Sequence, residues 1–184
     1  MIGAYVGIDP GKEGAIAVIM EKDENHPKYY DMPLLPNGEV DAKEIRKILE
    51  SLPGPFCILE KSQVMPNQGA VSGFNYGVGY GTIKATISLC GVPFEEITPQ
   101  KWKKEFSLII PREGLTKVQV KKIAKEKAAT TCLKMFPLMS TQDFYTPRGR
   151  LIDGRAEAIL ICEYGRRILT RGAQDDLRGN REKI

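Results

Sequence analysis

The sequence predicts an α/β fold in which a mixed β-sheet is covered by helices. Three observations carry that expectation. Short apolar runs of strand length crowd the first half of the chain, apolar residues at helical spacing fill the second half, and the two kinds of segment alternate between them. At 184 residues the chain is long enough for one well-buried domain and too short for two of ordinary size.

The elements follow in order. The runs Ala4 to Ile8 and Ala15 to Ile19 are joined by a Gly/Pro connection of hairpin length, so they read as two adjacent strands. "KYYDMPLL", residues 28–35, reads as a weaker third strand. In "DAKEIRKILESL", Asp41 takes the N-cap position with Glu44 three residues on, and Ile45, Ile48, Leu49 and Leu52 follow at helical spacing. That is the first helix. "PFCILEKS" reads as a strand buried on both faces until it reaches Glu60, the second apolar run to end on an acid. A helical segment from Gln68 to Cys90 and a fifth strand in "PFEEIT" come next. Three helical patterns close the domain: "PQKWKKEF" is short and amphipathic, "KVQVKKIAKEKAATTCLKMF" is long and basic, and "GRAEAILICEYGRRIL" is apolar on one side. Beyond Leu169 the chain turns polar, which predicts a mobile tail over 170–184 behind a domain spanning 1–169.

Composition narrows the function. Hydrophobic residues at 42% and charged residues at 27% are ordinary for a folded soluble protein, and no segment approaches the ~20 apolar residues of a membrane span. The first apolar run breaks at Asp9 with no basic region before it, so the expectation is a cytoplasmic protein without a signal peptide or membrane association. Cys57, Cys90, Cys132 and Cys162 lie in apolar neighbourhoods without CxxC spacing and read as reduced thiols. The one histidine, His26, sits in polar "KDENHPK" and reads as a solvated loop residue, leaving no basis for a His-based metal site or a Ser/His/Asp triad. The net charge of +4 is unevenly spread: residues 1–60 balance at −5 and residues 101–127 at +6. Such a basic block suits a polyanionic partner approached from one side, or is simply a solvated helix face.

Four carboxylates stand out. Asp9 and Glu60 each end a strongly apolar strand, where a charge is expensive unless something pairs with it. Asp153 and Glu157 lie four residues apart at the start of the last helix, on one face. Taken singly, each has an ordinary role: Asp9 caps a turn, Asp153 caps the helix, and Glu157 pairs with Arg155 or Arg166. Taken together, carboxylates clustered without His or Cys match a hard-cation site for Mg²⁺ or Mn²⁺. Two such ions about 4 Å apart hydrolyse phosphodiesters.

"GIDPGKEGAIAVI", "CILEKS" and "DGRAEAILICEYG", in this order and at these intervals, resemble the RuvC-type Holliday junction resolvases of the RNase H-like superfamily. The likeness runs from about residue 4 to 168 and is strongest to the phage-encoded members and the chloroplast junction resolvase. The resemblance implies a five-stranded mixed sheet with helices on both faces. It implies four metal-binding and catalytic acids, Asp9, Glu60, Asp153 and Glu157, with two Mg²⁺ (or Mn²⁺) ions. The last two acids are four residues apart, as in the phage and chloroplast type, although the chloroplast type has His where this chain has Asp153. The implied activity is a homodimeric crossover junction endodeoxyribonuclease that nicks two strands of a four-way junction symmetrically, leaving 5′-phosphate and 3′-hydroxyl ends.

The same resemblance gives the remaining features a place. Gly69, Gly73, Gly77 and Gly81 recur every four residues in a predicted helix, each costing roughly 1 kcal/mol relative to Ala. Close approach by a partner helix across a dimer, or by DNA at the helix start, would compensate. Phe74, Asn75 and Tyr76 become candidates for contact with bases opened at the junction. Lys101, Lys103 and Lys104 surround Trp102, which reads as an anchor in the core. Lys117, Lys121, Lys122 and Lys125 form a phosphate-facing stripe, with Lys125 aligned to a lysine that relatives place near the scissile phosphate. Arg148, Arg150 and Arg155 flank the acids and are candidates to hold the DNA backbone.

Other functions compete. A nucleotide-binding ATPase of the actin and sugar-kinase type also ends its first strand in Asp followed by glycines, but it needs two such domains. The chain has no GxxxxGK[ST] loop, and Pro10 removes an N–H that a phosphate loop would use, so no nucleotide cofactor is expected. A nuclease cutting other branched DNA or RNA–DNA hybrids, and a non-catalytic junction-binding protein, stay open.

Overall fold

The computed structural model describes residues 2–61 and 69–181, with side chains described through residue 172. Gln68 and Ser62, which the sequence reading included in a helix and a strand, lie outside the described residues. Eleven elements are present: β1 (Ala4–Asp9), β2 (Ala15–Met20), β3 (Asp23–Asp31), α1 (Ala42–Glu50), β4 (Pro55–Glu60), α2 (Ala70–Leu89), β5 (Phe94–Ile97), α3 (Pro99–Glu105), α4 (Lys117–Met135), α5 (Thr141–Phe144) and α6 (Asp153–Arg181). The five strands form one sheet in the order β3-β2-β1-β4-β5. β1, β2 and β3 pair antiparallel, whereas β1–β4 and β4–β5 are parallel, so the sheet is mixed.

Strand alternation explains the layers. Ala4, Val6 and Ile8 of β1, with Cys57 and Leu59 of β4, pack under α1 and α2, where Ile45, Leu49, Ile83 and Ile87 are buried. Tyr5 of β1 and Ile58 of β4 face the other way, toward Ala158, Ile159 and Cys162 of α6 and the residues of α3, α4 and α5. Helices therefore cover both faces, as expected. Gly7 lets α6 lie directly on β1: a Cβ there would meet the Cys162 nitrogen at 2.2 Å and the Ala158 carbonyl at 2.4 Å.

Local signals behave as read at α1, where the Asp41 carboxylate accepts from the N–H groups of Lys43 and Glu44. Glu44 itself turns to Lys47 at 2.8 Å instead of back to the cap. α4 begins with a capping box between Thr116 and Gln119.

The third strand differs from the expectation. It runs Asp23–Asp31 and includes His26, which is exposed in a strand and not in a loop. Residues 32–35 leave the sheet, and Leu34 makes only an isolated bridge with Val40. β3 is an edge strand with mostly exposed side chains, so it lacks the apolar alternation that marks the inner strands. The short α5 was not foreseen, because four residues carry no readable period. Residues 170–181, expected as a tail, continue α6 as helix.

Glu163 anchors α6. It is 2% exposed yet charged, and it binds Arg166 and Arg167, each at 2.7 Å. Those arginines reach on to Glu24 of β3 at 2.8 Å and Glu105 of α3 at 3.3 Å. A buried carboxylate is tolerable only when paired this fully. No helix among the described residues is long and apolar enough to cross a membrane.

Candidate active site

Two strand ends and one helix start build the site. Ile8 pairs with Leu59 across parallel β1 and β4, so Asp9 and Glu60 are the next residues on strands about 4.8 Å apart. Asp9 shares the parity of Tyr5 and Gly7, and Glu60 that of Ile58, so both carboxyls project toward α6. α6 begins at Asp153 and carries Glu157 one turn further on. Gly154 holds that first turn against the β1–β2 connection, because a Cβ there would sit 2.1 Å from the Glu13 carbonyl oxygen. Gly14 is equally tight: a Cβ would lie 2.2 Å from the Asp9 carbonyl oxygen. The glycines of the opening stretch thus make a tight turn, and the Gly11 N–H donates to Asp9 Oδ1 at 3.3 Å.

Electrostatics show that the acids share one region. Burial pushes the Asp9 carboxyl up to about 7, with the negative charges of Glu157 and Asp153 adding to it. Burial likewise pushes Glu60 up to about 8, reinforced by Asp9 and Glu157. Two cations answer these charges. Lys103 Nζ lies 3.1 Å from Glu157 Oε1, and Lys125 Nζ lies 2.5 Å from Asp153 Oδ2. For Lys125, burial works against its charge, but the Asp153 hydrogen bond more than offsets it and holds the ammonium above its usual range.

A hard divalent cation suits this donor set chemically, since all four side chains offer carboxylate oxygens and two of them, Asp9 and Glu60, resist ionisation because they are buried and stand beside other carboxylates. The side chains do not form a finished cage: among the described residues no group of three such ligands converges to hold an ion. Glu157 and Asp153 are turned to their lysines.

Solved structures match this architecture, two of RuvC among them. Thermus thermophilus RuvC aligns with a TM-score of 0.50 at 18% identity, over 90% of this chain and 96% of that one. T. thermophilus RuvC in complex with Holliday junction substrate aligns with a TM-score of 0.50 at 16% identity, over 86% and 90%. The fold is that of RuvC. At such identities the likeness concerns the fold, the five-stranded mixed sheet flanked by helices of the RNase H-like class. No protein-family model and no curated protein sequence matches the chain.

Within this RuvC-like fold the other candidate residues fall into three groups. Lys101 and Lys104 on α3, and Lys117, Lys121 and Lys122 on α4, are exposed, with Lys122 only loosely paired to Glu126 at 3.9 Å. Arg148 and Arg150 are exposed on the loop before α6, Arg150 lying 3.7 Å from Glu13. Phe74 is 71% exposed and, with Asn75 and Tyr76, lines a cavity of about 780 Å³ whose opposite wall includes Pro10 and Lys12. Arg155 is placed differently from the rest. Its guanidinium binds both oxygens of Asp31 at 2.6 and 2.7 Å, donates to the Asp143 carbonyl and lies on the Tyr29 ring. It is spent on joining α6 to β3, not turned outward to a phosphate.

Sequence reasoning passed over Lys12. It lines both the Phe74 cavity and a smaller one of about 230 Å³ bordered by Asp31, Arg150 and Asp153. Its place in the Asp9 turn was the available signal. Along the glycine stripe of α2, a Cβ at Gly69, Gly77 or Gly81 would meet nothing within 4 Å. Among the described residues, no other backbone comes within 4 Å of a Cβ at these positions.

Proposed function

We propose that this chain is a metal-dependent, structure-selective endonuclease that resolves four-way DNA junctions by paired symmetric nicks. The observation that carries the reading is the meeting of Asp9 and Glu60, at adjacent strand ends, with the helix face that bears Asp153 and Glu157. The RuvC-like fold adds support, one of its neighbours being a RuvC with Holliday junction substrate. The four acids would hold two Mg²⁺ or Mn²⁺ ions, which when bound supply an activated water and stabilise the leaving oxygen. The chain's own part is to fix those acids on a rigid sheet edge and to neutralise phosphates beside them. Lys103 and Lys125 are within reach of the scissile group, and Lys101, Lys104, Lys117, Lys121 and Lys122 extend the positive surface along α3 and α4. Phe74, Asn75 and Tyr76 would meet bases unstacked near the branch point.

Two nicks across a symmetric junction call for two sites, hence a homodimer. α2 supplies a surface for it. Val71, Val78, Gly81, Ala85 and Leu89 recur at three-, four- and seven-residue spacing on an exposed face, with Val71 76% and Leu89 89% exposed. The open glycines of that face would let a second copy of α2 approach closely.

Four-way junction, flap, RNA–DNA hybrid and duplex substrates, cut in parallel with Mg²⁺ and mapped at nucleotide resolution, test the proposal. Symmetric 5′-phosphate nicks confined to the junction are expected, with Asp9→Asn losing about a hundredfold or more of the rate while still binding. Cutting that persists in Asp9→Asn refutes the metal assignment. Tight junction binding with no cutting in Mg²⁺ or Mn²⁺ makes the chain a binding protein instead.

A further inference from the structure

The metal reading above leaves one fully buried side chain beside the acids without a role. β5 pairs its last residue, Ile97, with Glu60, and the Lys61 N–H donates to the Ile97 carbonyl at 2.6 Å. α3 then starts directly, with Thr98 at the N-cap and Pro99 in the first turn, so Trp102 is carried in beside the end of β4. Trp102 is 0% exposed, and among the described residues its Nε1 is a buried donor that makes no hydrogen bond of full geometry. A buried indole N–H ordinarily finds a partner. The polar group it faces is the Glu60 carboxylate, whose charged form it favours. The ring has a second neighbour: Lys103 Nζ sits 4.8 Å from its centroid and 3.1 Å from Glu157.

We infer that Trp102 is a positioning residue, its indole N–H orienting the Glu60 carboxylate while its ring face seats the Lys103 ammonium that pairs with Glu157. One side chain thereby sets the relation between an acid on the sheet and an acid on α6. Partners behind metal-binding groups commonly govern affinity by 10–100-fold, about the effect expected here. This inference rests on the proposed metal role of Glu60.

Trp102→Phe keeps a six-membered ring for packing and for Lys103 and removes the N–H together with the pyrrole half of the indole, so the indole resonance is the readout that isolates the N–H. Calorimetric titration of the DNA-free protein with Mn²⁺ is expected to show binding weakened about tenfold or more in Trp102→Phe. As Trp102 is the only tryptophan, the ¹⁵N spectrum has a single indole N–H resonance. That resonance is expected to shift in Glu60→Gln far more than in Glu96→Gln. Wild-type Mn²⁺ affinity in Trp102→Phe, or an indole resonance indifferent to Glu60→Gln, overturns the inference. A wild-type protein that takes up no Mn²⁺ overturns the metal reading alone, and the Glu60→Gln shift then decides whether Trp102 orients Glu60.

Discussion

Removing the charge of Asp9 is expected to stabilise the metal-free protein in mild alkali. The Asp9 carboxyl rises from 3.8 to about 7 on folding, through burial first and then the charges of Glu157 and Asp153. A carboxyl whose pKa is raised in the folded state binds its proton more tightly there than in the unfolded chain. Folding therefore loses stability as pH rises: the cost is nearly absent below about pH 4, grows between about 4 and 7, and is complete above that. Three units at about 1.4 kcal/mol each give roughly 4 kcal/mol as the ceiling. Glu60, raised to about 8 beside it, shares this cost, so the two titrate as a pair and their separate effects do not add. Asp9→Asn is nearly isosteric and keeps an oxygen to accept the Gly11 N–H. Urea unfolding in a chelator should show variant and wild type within about 0.5 kcal/mol near pH 4 and the variant ahead by about 2–4 kcal/mol at pH 8.5. Adding Mn²⁺ should restore the wild type alone. An Asn variant no more stable at pH 8.5, or equally ahead at both pH values, refutes the reasoning.

Two further outcomes follow from packing. Gly154→Val places a side chain where a Cβ already lies 2.1 Å from the Glu13 carbonyl; it should cost about 1–3 kcal/mol in denaturant unfolding and abolish cutting by moving Asp153 off the β1–β2 turn. Wild-type cutting by Gly154→Val would show that this contact does not set the site. Val78→Asp puts a charge in the exposed apolar face of α2 and should convert a dimer to a monomer in sedimentation, with a melting temperature that no longer rises with protein concentration. A wild type that already sediments as a monomer would remove α2 as the dimer surface.

Much of the frame was legible because it depends on local rules. Apolar runs of strand length located β1, β2 and β4, and the helical period with Asp41 at its head located α1. Asp9 and Glu60 were conspicuous as acids ending such runs, and Asp153 and Glu157 as neighbours on one helix face. The strand expected over 28–35 meets edge strand β3 only at the last four residues of β3, 28–31, because only one face of β3 packs and its side chains are mostly exposed. The role of Arg155 escaped because its partner, Asp31, is 124 residues away in the chain.

The sequence by itself determined which residues are acidic, where β1, β2, β4 and α1 lie, and which side chains of a strand share a face. Only the tertiary structure decided that β1 and β4 lie side by side in parallel, that α6 lies on β1 at Gly7 and sets its own Gly154 against the β1–β2 turn, and hence that four carboxylates share one region. It also decided that Lys103 and Lys125 answer those charges and that Trp102 stands behind Glu60. The reason is physical. Periodicity and capping are set by neighbours within a few residues, whereas strand order, burial and the shift of a pKa depend on groups that chain distance does not bring together.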